Sequence, residues 1–119
     1  MNRIRYVLAA AAALAALTVA PAASPATTSL VATVGPGFTI TLTKAGKRVT
    51  TLRPGMYRIT VRDRASDHNF RLRGPGSVNK ATGIGRITTV VWTVRLRAGR
   101  YTYVCDPHAS SMRGTFIVR

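Results

Sequence analysis

MYRITVR, residues 56–62, decides the fold. Tyr57, Ile59 and Val61 alternate with Arg58, Thr60 and Arg62. A period of two places the first set on one face of an extended strand and the second on the other, apolar inward and basic outward. The same pattern recurs upstream, where Phe38, Ile40 and Leu42 alternate with Thr39, Thr41 and Thr43. Around these lie further β-branched runs at 29–34, 47–52, 68–73, 87–96, 100–105 and 115–118. Gly35-Pro36-Gly37, Ala45-Gly46, Pro54-Gly55 and Gly74-Pro75-Gly76 punctuate them, and 77–85 reads as a polar, glycine-containing loop. No segment has a helical period. Short strands broken by Gly/Pro turns predict an all-β fold, an antiparallel Greek-key sandwich. Leu52-Arg53-Pro54-Gly55-Met56-Tyr57 is echoed by Leu96-Arg97-Ala98-Gly99-Arg100-Tyr101. We read the echo as two similar hairpin openings, not a duplicated domain.

The chain before residue 27 has a different character. Arg3 and Arg5 precede an apolar run, Val7 to Ala20, and then small residues and prolines. A basic head, a short apolar middle and an Ala-x-Ala step describe a secretory signal peptide. The run is short for a bilayer span, which needs about 20 residues. Residues 1–26 are therefore expected to be a signal peptide cut near 22–26, and 27–119 a single domain. That domain would be exported to a periplasm, cell envelope or extracellular space, with no transmembrane anchor after cleavage.

The chain carries a net charge of +15, with only three acidic residues: Asp63, Asp67 and Asp106. Such a balance attracts acidic partners. The arginines are spread over many strands rather than gathered in one basic run, and no aromatic-interleaved patch offers to stack bases, so nucleic acid is not expected.

The rarest side chains cluster. The single cysteine, one of two histidines and a methionine lie in YVCDPHASSMRG, residues 103–114, as Cys105-x2-His108-x3-Met112. One cysteine makes no internal disulfide, and an exported free thiol is exposed to oxidation unless it is buried or held. A loop can turn three such side chains to one point, and Pro107 stiffens it. The other histidine, His68, opens a strand after a turn. Two imidazoles and a thiolate with a distant thioether form the blue-copper donor set. Structural zinc prefers four strong ligands, and methionine is a weak one. A binuclear copper centre needs a second cysteine. A Cys–His hydrolase would need an oriented base and an oxyanion site. Met56 reads as core, and the three aspartates as structural.

At these residues the chain resembles the cupredoxins of the plastocyanin, pseudoazurin and amicyanin type. The resemblance rests on His68-Asn69, on Tyr101-x-Tyr103-x-Cys105-Asp106-Pro107-His108, on Met112 and on Gly114-x-Phe116. It implies a Greek-key β-sandwich holding one copper ion that cycles between Cu(I) and Cu(II). It implies His68, Cys105 and His108 as equatorial ligands, Met112 as axial ligand, and Asn69 as a brace for the ligand loop. The step from His108 to Met112 is shorter than in plastocyanins and longer than in amicyanins. The function expected is that of a monomeric, non-enzymatic electron carrier serving a redox partner protein with an acidic docking patch. Two alternatives stay open: a copper-delivery protein of the envelope using the same site, and a metal-free interaction module.

Overall fold

The computed structural model describes residues 9–23 and 26–119. The basic head of the expected signal peptide and the Ser24-Pro25 step lie outside the described residues. Residues 9–23 have no regular secondary structure, and their Leu14, Leu17 and Val19 are exposed. No helix among the described residues is long and apolar enough to cross a membrane.

From Thr28 onward the chain forms two five-stranded sheets, face to face. The first joins β1 (Thr28–Val34), β2 (Ile40–Lys44), β3 (Lys47–Arg48), β5 (Gly55–Asp63) and β8 (Thr88–Leu96) in the order β3-β2-β1-β5-β8. The second joins β4 (Thr51–Leu52), β6 (Arg71–Gly74), β7 (Val78–Ala81), β9 (Gly99–Val104) and β10 (Arg113–Val118) in the order β4-β10-β9-β6-β7. The all-β sandwich is as the alternation predicts. In β5, Tyr57, Ile59 and Val61 are buried while Arg58 and Arg62 face solvent. Leu30, Leu42, Phe70, Leu72, Leu96, Tyr101, Tyr103 and Phe116 fill the space between the sheets. Burying such side chains contributes about 1.5–3 kcal/mol each.

Four expectations need correction. The sheets are mixed rather than wholly antiparallel, because β1 runs parallel to β5 and β4 parallel to β10. Residues 77–85 are not all loop, because β7 pairs along β6 as an edge strand. Met56 is not core: it lies half-buried on the outer face of β5, out of phase with Tyr57 and Ile59. Phe38 does not continue the alternation of β2. The turn at Gly35–Gly37 releases it from the sheet, and it stands 67% exposed.

The echo also proves more specific than a hairpin opening. One copy leads from β4 in the second sheet to β5 in the first, and the other from β8 in the first to β9 in the second. In each, a tyrosine hydroxyl turns back to the carbonyl four residues earlier: Tyr57 to Arg53 at 2.6 Å and Tyr101 to Arg97 at 3.0 Å. The Arg97 amide also donates to the Tyr101 oxygen at 2.9 Å. These are tyrosine corners, which close a crossing between sheets by satisfying its backbone. Both lie at one end of the sandwich. The chain between β5 and β6, the end of β9 and the start of β10 meet at the other.

Candidate metal centre

The end opposite the corners collects the side chains singled out in the sequence. His68 lies on the connection from β5 to β6, Cys105 just beyond β9, and His108 at the end of a 3-10 turn, Asp106–His108. Pro107 sits in the first positions of that turn, where its lack of an amide proton costs nothing. The turn folds the loop back on itself. The His108 amide donates to the Cys105 carbonyl at 3.0 Å, and the Met112 amide to the His108 carbonyl at 2.8 Å. The Cys105 amide donates to the Met112 carbonyl at 3.0 Å, so β10 leaves beside β9.

The donor atoms converge. Nδ1 of His68 and Nδ1 of His108 are 3.1 Å apart, and Sγ of Cys105 is 3.6 Å from each. A point equidistant from the three lies about 2 Å from each atom, close to the length of imidazole and thiolate bonds to a first-row metal. Cys105 is fully buried and His68 is 1% exposed, whereas His108 is half-buried. Both imidazoles lie in edge-type contact with the ring of Phe38, at centroid distances of 5.6 Å and 4.9 Å. A buried thiol and two imidazoles, with their donor atoms at bonding range of one point, fit a copper ion by donor chemistry and by spacing. Met112 is fully buried in the same loop, tied through its backbone to both Cys105 and His108.

The loops are held by a polar network. The Asn69 amide N–H points at the Cys105 sulfur, 3.4 Å away. The Asn69 side chain accepts from the Asp106 amide at 2.7 Å, and donates to the Asp106 carboxylate at 2.8 Å and the Thr82 carbonyl at 3.3 Å. The bracing role expected for Asn69 is thus present in the bonds it makes. Asp106 also receives the Arg71 guanidinium, with contacts of 2.9 Å from Nε and 2.8 Å from Nη2. Arg71, aided by Asn69, holds the Asp106 carboxyl below the usual carboxylate range even though desolvation opposes the shift. Buried Asp63 accepts the Thr82 hydroxyl at 2.7 Å, and that hydroxyl accepts the Phe70 amide at 2.9 Å. Two of the three aspartates therefore fasten the loops around the donors. Asp67 is exposed, its carboxylate 3.8 Å from Nε2 of His68.

Sequence reading missed Arg71, Thr82 and the packing role of Phe38. Arg71 and Thr82 act across long sequence separations, and no local pattern announces them. Phe38 carried a usable signal, since a Gly-Pro-Gly turn directly before it argues against a continuing strand. Gly35 in that turn has φ +66°, and a β-carbon there would meet Ala65 Cβ at 2.8 Å. Only glycine lets the turn lie against the residues that precede His68.

Comparison with known proteins follows the same line. The sequence profile of the copper binding proteins of the plastocyanin/azurin family matches residues 44–119. Among solved structures, rusticyanin from Thiobacillus ferrooxidans is 28% identical with a TM-score of 0.55, the match covering 81% of this chain and 79% of that one. A reduced rusticyanin is 24% identical with a TM-score of 0.57, covering 82% of each chain. A rusticyanin mutant reaches a TM-score of 0.59 at 23% identity, covering 81% and 80%. None of the curated proteins matches.

Proposed function

This chain belongs to the plastocyanin/azurin family of copper-binding proteins, the cupredoxins, and from that premise we propose that it is an exported one-electron carrier with a single type 1 copper site. His68, Cys105 and His108 would hold the copper, with Met112 of the same loop as a further, weaker ligand. Residues 1–26 are the signal peptide, and 27–119 the mature, monomeric domain. The observation that carries this reading is the convergence of two imidazole nitrogens and one sulfur within 3.1–3.6 Å of one another, with Cys105 and His68 buried.

Bound copper supplies a one-electron couple that the side chains lack. The protein's part is to keep its donors still and dry. The Asn69–Asp106–Arg71 network fixes the loop on which Cys105 and His108 sit, and fixed donors keep rearrangement between oxidation states small. Phe38 shields both imidazoles. His108 alone among the three is partly open to solvent, so electrons enter and leave there. An apolar contact at Phe38 and His108, on a chain of net charge +15, suits a redox partner with an acidic docking patch. Association with that partner should slow steeply as ionic strength rises; a flat salt dependence would remove the acidic patch from the proposal.

The decisive experiment is titration of the chain with Cu(II). An intense blue thiolate-to-copper absorption that saturates at one copper per chain, and is lost in Cys105→Ser, is expected. A pale complex that Cys105→Ser leaves unchanged contradicts the site. Reduction and reoxidation with copper retained support a carrier; release of copper on reduction points to metal delivery instead.

A further inference from the structure

The acidic side chains of the domain are confined to one end. All three aspartates of the chain, Asp63, Asp67 and Asp106, lie at the metal end, around His68 and Cys105. At the corner end the charged side chains are all basic. Two adjoining grooves of about 450 and 280 Å³ open there, and they share Lys44, Thr51 and Leu52. Arg53 and Arg119 line the larger, Lys47 and Arg48 the smaller. Arg97 and Arg100 flank the nearby Tyr101 corner. None of these seven side chains takes part in an ion pair or side-chain hydrogen bond among the described residues. Unpaired like charges on one surface repel each other, and an anionic surface laid against them relieves that repulsion.

This cation cluster is in the wrong place to bring a redox partner to His108. A nine-residue strand such as β8 separates the two ends, about 30 Å of chain. A partner held at the corner end would be held away from the exposed ligand. The start of the domain lies at the same end. Thr28, where β1 begins, itself lines the larger groove, so the segment leading into the domain arrives at this end.

We propose that the corner end is a docking surface for a bilayer rich in anionic phospholipid, which holds the protein with its metal end turned toward the aqueous phase. Basic side chains near such a surface are attracted within roughly a Debye length, and several acting together give reversible, salt-sensitive binding. The surface persists whether the N-terminal segment is cut or kept. What the orientation achieves rests on the electron-carrier reading. The binding itself does not, and it is measured without copper, so the two readings fail separately.

The test uses the full chain and compares two charge-matched variants. One carries Lys44→Gln, Lys47→Gln, Arg48→Gln and Arg53→Gln at the corner end. The other carries Arg62→Gln, Arg64→Gln, Arg86→Gln and Arg113→Gln at the metal end. All eight side chains are exposed, and circular dichroism verifies that both variants fold. Both keep the N-terminal segment, so any insertion by that segment cancels. Co-sedimentation is measured with vesicles of phosphatidylglycerol and phosphatidylcholine, and with phosphatidylcholine alone, at low and high salt. The expected result is binding that needs the anionic lipid, falls with salt, and weakens about tenfold or more in the corner-end variant but at most about twofold in the other. Equal loss in both variants would show that net charge acts without a defined surface, and would overturn the proposal. So would undiminished binding to phosphatidylcholine alone. Binding to soluble polyphosphate without binding to anionic vesicles would assign the cluster to a polymer instead.

Discussion

The two ends of this sandwich are closed by different means. At the corner end each crossing between sheets is secured by one tyrosine, Tyr57 or Tyr101, reaching back four residues. At the metal end the crossings are secured by Asn69, Asp106, Arg71, Thr82 and Asp63, drawn from four separate stretches of chain. The corners are local and self-sufficient. The metal end is cooperative, since each polar group satisfies a neighbour that would otherwise be buried without a partner. The lesson is that a sheet crossing needs little to hold it, whereas three donors held around one point need a network.

If this contrast is right, substitutions at the two ends separate stability from copper binding. Asn69→Ala should have the largest effect. It removes three hydrogen bonds and strands the Asp106 amide, at a cost of about 3 kcal/mol, and should weaken copper binding by about ten- to a hundredfold. Copper affinity within threefold of the parent would show that the network does not position the donors. Gly114→Ala comes next. A β-carbon there would run into the Tyr103 ring, whose buried hydroxyl has no hydrogen-bond partner among the described residues. Overpacking at this site should cost about 2–3 kcal/mol in chemical denaturation. Tyr101→Phe should cost about 1–2 kcal/mol, because the Arg97 amide loses its acceptor. Tyr57→Phe should cost about 1 kcal/mol or less, because Tyr57 makes one such bond and Tyr101 more. Neither tyrosine variant should alter the visible spectrum of the copper-loaded protein; a changed spectrum would break the separation of the two ends. Arg71→Gln should be mildest, about 0.5–1 kcal/mol, since both partners of its ion pair are partly solvated. Its expected signature is a shift in reduction potential with the fold intact, because a neutral residue then faces the Asp106 carboxylate beside Cys105.

The same contrast explains what could be read from the sequence. The strands declared themselves wherever one face is buried, as in β5, because burial imposes a period of two. The tyrosine corners were visible as an echo, since their hydrogen bonds span four residues. Edge strand β7 was not visible: Val78-Asn79-Lys80-Ala81 has one inward apolar residue and no alternation to detect. Nor were the parallel pairings of β1 with β5 and β4 with β10, which depend on strands distant in sequence. At the metal end the donors stood out through rarity, as one cysteine and two histidines in the whole chain. Their supports did not. Asn69 was marked only by resemblance, and Arg71 is one of many arginines whose pairing with Asp106 bridges 35 residues.

The claim beneath all of this is that His68, Cys105 and His108 are already placed to take one copper through two Nδ1 atoms and one sulfur. X-ray absorption at the copper edge of the loaded protein, in both oxidation states, tests it most directly. Two imidazole nitrogens and one short sulfur in each state, with little change in bond length between them, is the expected result. A first shell without sulfur, or one rebuilt on reduction, would contradict it.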